Sequence, residues 1–440
     1  MTTHEAETSS PPPPGGCPWP AAGSTPPGAP AAAPDHAAPD HAAPDHAAPG
    51  PAAPGHPATA AQRGPLPSYL PRRPAPDVVR VLAPTGDRLW LVTRFGLGRE
   101  VLTSTRFSRA MAVAESAAAI HPMRPDPAAL TSLDPPAHGR LRKLVNRAFA
   151  PDAVASLEGV IRRTARGLLA DRHTADLVSG YAEPLSASTI CQMLGVPEAE
   201  QDRFVRLANR AHGITPCSPE ESESARHELR AYVGSLVELA RREPGQHLLG
   251  ALVLAHEQEG ALDEKELLAL VELLLNAGYE TTIGQIGLAV LALLESPDQW
   301  REMARRPELI PGAVEELLRY APVVPISFTR VARQDVVLGG QRIRAGESVL
   351  VSLLHANFDP EEHASPEDLR IDRRTARNLT FGHGPHVCLG AQLARLQLRV
   401  ALEELADACP DLALDADPGA LRWRPPEAIV RGPTSLPASW

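Results

Sequence analysis

The chain has no uninterrupted apolar run long enough to cross a bilayer, and its first residues lack the basic-then-apolar pattern of a leader peptide. No membrane anchor and no secretory route are expected. Cysteine is scarce. Cys17, Cys191, Cys217, Cys388 and Cys409 show no paired spacing, and an odd count of five suits a reducing cytoplasm better than a disulfide framework. Positive charge is not in excess either. A formal net charge of −10 argues against recognition of a phosphate backbone, so small molecules and proteins are expected as partners rather than nucleic acid.

Large apolar side chains are nearly missing from residues 1–65, which are rich in Pro, Ala, Gly and His. Such a segment cannot bury enough surface to offset its ordering entropy, and a disordered tail is expected. Pro-Asp-His-Ala-Ala repeats three times within it, from Pro34, Pro39 and Pro44, a period too short for a stacked repeat unit. His36, His41 and His46 therefore read as a solvated tract rather than a metal site. Order is expected from residue 66 to residue 440, enough chain for one large domain or two ordinary ones.

Within that span the apolar periodicity is mostly helical. Helices are predicted over residues 95–102, 136–149, 152–170, 198–211, 219–242 and 264–294, another that carries Glu316 and Arg319 is predicted to stop before Pro322, and a last one is predicted to end near Ala408. Short strands are predicted at 78–82, 89–92, 336–338, 341–343 and 349–353, and residues 109–130 read as a long loop. The 264–294 segment is apolar on nearly every face and opens with Asp263 and Glu266 in capping-box spacing, so it is expected at the centre. In its middle stands Ala277-Gly278-Tyr279-Glu280-Thr281-Thr282, a poor choice for helix stability alone. Gly278 costs about 1 kcal/mol against alanine, and Thr281 can bond back to the carbonyl of Ala277 and bend the helix.

Phe381-Gly382-His383-Gly384-Pro385-His386-Val387-Cys388-Leu389-Gly390-Ala391 is a tight glycine loop closed by one cysteine and followed by an apolar-periodic helix. A sulfur there sits near unpaired backbone N–H groups and the positive end of the helix dipole, which favours the thiolate and suits it to bind a metal. A zinc site built from His383, His386 and Cys388 lacks the usual paired spacing and a nearby fourth ligand.

The loop matches Phe-Gly-x-Gly-x-His-x-Cys-x-Gly completely, and on it the chain resembles the cytochrome P-450 superfamily, of the soluble bacterial type. The resemblance covers residues 66–440 and implies a mainly α fold with a small β region in a single, roughly triangular domain. It implies that Cys388 is the axial ligand of the iron of haem b, beside Phe381 and Gly390. His386, His138 and Arg142 of His-x-x-x-Arg, and Arg330 would hold the haem propionates. Ala277 and Gly278 would admit dioxygen, and Glu280 with Thr281 would deliver protons. Glu316 and Arg319 would form the family's structural pair. Two departures stand out: Tyr279 where the family often has histidine or an apolar residue, and Phe358 in place of an arginine.

The expected activity is that of a haem-thiolate monooxygenase. It would hydroxylate or epoxidise a small organic molecule, in bacterial specialised metabolism by analogy, with dioxygen and NAD(P)H-derived electrons delivered by a ferredoxin and its reductase. A coupling or ring-forming oxidase on the same scaffold is the alternative, with a peroxide-driven enzyme or a non-enzymatic haem sensor beyond it.

Overall fold

The computed structural model describes residues 64–71, 75–121, 124–212, 214–215, 218–374, 377–426 and 428–440. The predicted tail, its three repeat histidines, Cys17 and Cys217 lie outside the described residues, except for Gly64 and Pro65 at the tail's end.

Strands β1 (Val78–Leu82) and β2 (Arg88–Val92) form the predicted antiparallel hairpin, Val78 opposite Val92 and Leu82 opposite Arg88. Gly86 turns it with φ of 86°, a value glycine adopts without steric cost. Helix α1 (Phe95–Thr103) and the short β3 (Phe107–Ser108) follow. Two late strands, β4 (Arg330–Ala332) and β5 (Ser348–Val351), complete a five-stranded sheet of order β1-β2-β5-β4-β3, in which β2 and β5 run parallel. Phe95, Val101, Leu102 and Leu379 pack on its buried face, so the sheet is tied directly to the chain entering the cysteine loop.

The helical part is α2 (Ala137–Asn146), α3 (Glu158–Leu169), α4 (Glu183–Leu194), α5 (Glu198–Ala211), α6 (Pro219–Arg242), α7 (Leu248–Glu257), α8 (Glu264–Leu294), α9 (Ile310–Tyr320) and α10 (Ala391–Ala408), with shorter turns between. Helix α8 has the predicted bounds, and its capping box is formed: Glu266 N–H donates to Asp263 at 2.8 Å and Asp263 N–H to Glu266 at 3.0 Å. At about 1.5 Å per residue it extends roughly 46 Å. It is long and apolar enough to cross a membrane, but 72% of its most apolar stretch is buried inside the protein, as suits a core helix.

Two expectations change. The single helix predicted over 152–170 is broken into Pro151–Ala155 and α3, because the Ser156 hydroxyl donates to the Ala153 carbonyl at 2.7 Å and competes with the backbone ladder. Helices α4 and α7 were not predicted. Helix α4 buries Ser186 and Thr189 along with its apolar residues, so it shows no amphipathic stripe to read.

Candidate functional site

The cysteine loop is held by its own backbone. Gly382 N–H donates to Leu379 O at 2.7 Å, Cys388 N–H to Phe381 O at 2.8 Å and Val387 N–H to Gly384 O at 3.0 Å. Gly382 and Gly384 take φ of 70° and 72°, and a Cβ on Gly384 would stand 2.6 Å from the Leu102 carbonyl of α1. Only glycine fits there. Gly390 caps α10, and its backbone N–H points at the Cys388 sulfur. Arg395, paired with Glu315 at 2.5 Å, lies 4.6 Å over the Phe381 ring.

Cys388 keeps accessible surface although protein encloses it, so the sulfur borders an interior space. That burial pushes the thiol up, against the Gly390 N–H and the charges of Arg142 and Arg395. Desolvation therefore outweighs the helix-terminus effect expected from sequence until a cation takes the proton's place. Among the described residues no group of three His, Cys, Asp or Glu side chains is placed to hold a metal ion.

Behind the loop, Arg319 and Glu316 are completely buried and joined by two 2.8 Å bonds. Arg319 also donates to the carbonyls of Asn357, Pro366 and Asp368. The Asn357 side chain in turn accepts from Leu379 N–H at 2.7 Å and donates to Thr380 at 2.8 Å, just before Phe381. Phe358 is buried beneath Arg319, 5.2 Å from the guanidinium to the ring centre. The position where the family pattern has an arginine is thus a packing position here.

On the other flank the structure gathers basic groups from distant segments. The rings of His138 on α2 and His386 of the loop stand 4.1 Å apart. Arg330 opens β4, 4% exposed, its charged form disfavoured by burial and by Arg109, with its pKa lowered to about 9. Burial, then His138, Arg330 and Arg109, lower His386 to about 3. Arg142, one turn on from His138 along α2 and close enough to disfavour its charged form, also donates to the Pro385 carbonyl at 3.0 Å and feels the Cys388 charge, so it links the cluster to the sulfur's side.

Helix α8, packed against α10, carries the remaining predicted residues. Its hydrogen-bonded ladder runs unbroken through residues 277–282, but extra hydroxyls crowd three carbonyls. Thr281 donates to Ala277 O at 2.7 Å and Thr282 to Gly278 O at 3.0 Å, while Ser186 of α4 reaches Tyr279 O at 2.9 Å. A Cβ on Gly278 would come within 2.7 Å of Ile190, so this glycine lets α4 approach. Ala277 is exposed and Thr281, one turn on, is partly so, just before the stretch from Thr282 to Leu293 in which every residue of α8 is buried. Tyr279 is fully buried, edge-on to Phe204, and its hydroxyl donates to Asn209 at 2.7 Å.

Glu280 is turned to two side chains that sequence reading did not connect with it. It pairs with the buried Arg424 guanidinium near the C-terminus and lies 3.2 Å from His212, at the end of α5. Gly213, Pro216 and Cys217, in the segment that follows, lie outside the described residues. The turn Ile429-Val430-Arg431-Gly432-Pro433 packs on α8, where a Cβ on Gly284 would meet Arg431 O at 2.6 Å. Arg109 is the other residue missed, since it opens a stretch that reads as loop.

A dry cluster of two arginines and two histidines is costly unless an anion joins it, and a thiol facing interior space from a helix terminus suits a soft or borderline cation. An iron porphyrin with two carboxylates fits both donor sets.

Comparison with known proteins agrees with that chemistry. Residues 220–406 match the family model described as Cytochrome P450. Nocardicin C N-oxygenase of Nocardia uniformis subsp. tsuyamanensis is 40% identical over 380 residues, 85% of this chain and 95% of that protein. Mycinamicin IV hydroxylase/epoxidase of Micromonospora griseorubida is 41% identical over 368 residues, covering 82% and 92%. Among solved structures, HinD with NMFT and NO superposes with a TM-score of 0.78 at 41% identity, covering 82% of this chain and 93% of that one.

Proposed function

The chain belongs to the cytochrome P450 family and is a haem-dependent monooxygenase, and we propose how its own residues divide that work and what it acts on. Cys388 is the thiolate ligand of the haem iron, and His138, Arg330 and His386 hold the haem carboxylates. The observation that carries this is their arrangement: a sulfur enclosed at the start of α10, with a carboxylate-seeking cluster on the loop's other flank. Thiolate-ligated haem supplies the activation of dioxygen.

The protein's residues supply position and protons. Arg142 and Arg395 offset the negative charge on the sulfur. Ala277 keeps α8 small on the face toward which dioxygen must come, while Gly278 lets α4 pack closely on another face. Thr281 spends its own proton on the Ala277 carbonyl, so its oxygen lone pairs are left to orient a water. Glu280, partly exposed between His212 and Arg424, relays protons from solvent to that water.

The substrate is a small molecule of bacterial specialised metabolism, of the size and polarity of a macrolide or a modified peptide, in keeping with the relatives that act on mycinamicin IV and nocardicin C. Hydroxylation or epoxidation is the reaction. Electrons come from a ferredoxin served by an NAD(P)H-dependent reductase, in a reducing cytoplasm consistent with the free thiols of Cys191 and Cys409.

The reduced carbon monoxide complex tests the ligand. Wild type should give the strongly red-shifted Soret band of a thiolate-ligated haem, and Cys388→Ala should lose it. Retention of that band in the variant would sink the assignment, and a macrolide and peptide library read by the low- to high-spin Soret shift tests the substrate class.

A further inference from the structure

Arg109 is 2% exposed, yet it is not a satisfied core arginine. Its Nε donates to Thr131 O at 2.8 Å, its Nη1 donates to Thr329 O, and its guanidinium lies 5.0 Å over the Phe328 ring. Among the described residues its Nη2 has no hydrogen-bond partner. A buried, unpaired N–H of a charged group is among the costlier defects a fold can carry, so a missing acceptor is implied.

The carboxylate beside it, Asp134, is not that acceptor. Its Oδ2 accepts from the Ser108 hydroxyl, from Ala110 N–H at 3.4 Å and from Arg333 at 2.6 Å, and its Oδ1 accepts from Arg109 N–H at 2.8 Å. Neither oxygen bonds Nη2. Arg330 stands close enough for Arg109 to disfavour its charged form, so two buried guanidiniums share one carboxylate that also serves Arg333. Both are bound at Thr329 and Phe328 of the segment entering β4, which fixes Arg109 beside the groups already assigned to the haem carboxylates.

We propose that Arg109 is a further carboxylate anchor of the haem, its Nη2 donating to a propionate oxygen beside Arg330, His138 and His386. The proposal rests on the haem reading above, which the carbon monoxide band tests separately. Its fixed fork suits a carboxylate better than a lysine ammonium would, and its charge raises the affinity of the site for an electron.

Three measurements on the purified holoenzyme decide it. In the structure of the wild type with haem bound, Nη2 should lie within hydrogen-bond distance of a propionate oxygen; an Nη2 paired elsewhere overturns the proposal whether or not variants fold. Arg109→Gln should lose haem to excess apomyoglobin about tenfold faster. Its ferric/ferrous equilibrium should also shift about threefold toward ferric, about 28 mV lower at 59 mV per tenfold for one electron. Arg109→Lys, which keeps the charge but not the fork to Thr131 and Thr329, should hold the potential near wild type. Equal changes in both variants would mean a structural role, and unchanged haem loss and potential in Arg109→Gln would mean none; either overturns the proposal. So would a loss confined to spectral binding of myristate, which would give the arginine to a substrate acid instead. Wild type and variants should all keep the thiolate band, so failure here is distinct from failure of the haem assignment.

Discussion

Replacing Arg319 by methionine probes the support of the cysteine loop rather than its chemistry. Methionine keeps much of the stem volume but removes five hydrogen bonds, two to Glu316 and one each to the carbonyls of Asn357, Pro366 and Asp368. Breaking a fully buried ion pair from one side costs about 3–5 kcal/mol. Glu316 would still have Arg373 at 3.0 Å and the Arg370 N–H at 3.0 Å, which places the expected loss near the lower end, about 3 kcal/mol. Scaling an unfolding entropy of about 2.1 cal/mol/K per residue to a body of this size, that loss lowers Tm by about 4 °C. Haem retention should fall with it, because Asn357 both lies under Arg319 and fixes Leu379 and Thr380. The assay is thermal unfolding by circular dichroism with the haem-to-protein ratio of the purified variant. Arg301→Met is the control: it has the same three-residue spacing to Asp298, but that pair is exposed and its loss should leave Tm unchanged. A Tm for Arg319→Met within about 1 °C of wild type and a full haem complement would refute the argument.

Thr281→Ala should keep haem and substrate binding while diverting electrons to hydrogen peroxide. Proton transfer contributes about 10²–10⁴-fold, so product per NAD(P)H must drop, and a fully coupled variant would reassign the relay. Truncation through Gln62 should leave folding and haem content unchanged, whereas truncation through Leu70 should not. The reason is that Gly64 fits against Trp423, where a Cβ would meet the ring at 2.3 Å, and Tyr69 and Leu70 pack with Leu89, Leu91 and Leu350. Limited haem incorporation by the shorter truncation alone would contradict this. His363 is buried and its pKa is lowered, first by desolvation and then by Arg319. It therefore contributes stability that is full above the ordinary histidine value of about 6.5 and lost as pH falls from there through its folded value. His363→Gln should flatten the loss of Tm as pH falls below about 6.5, and an unchanged slope would contradict the linkage.

Local signals on contiguous residues were enough for a large share of the site. The glycines of the cysteine loop, the capping box of α8 and the buried pair of α9 are each set within a dozen residues, where backbone geometry and apolar period act directly. The hairpin from Val78 to Val92 and the full extent of α8 were legible for the same reason. Cys388 itself was singled out because two glycines, one sulfur and a helix start stand in one short run, and its part as a ligand came from the resemblance of that run to the family's loop.

What the sequence left open depends on residues brought together from far apart. The neighbours of Glu280 come from residues 212 and 424, and neither carries a local pattern that says so. Arg109 looked like the first residue of a featureless loop until the fold buried it beside Arg330. Tyr279 and Phe358, read as departures from a family pattern, became packing residues once Phe204, Asn209 and Arg319 closed on them. Even the charge state of Cys388 turned on tertiary structure: the helix terminus favours the thiolate, but enclosure by the whole domain opposes it. Desolvation is a property of everything that surrounds a group, and no stretch of sequence carries it alone.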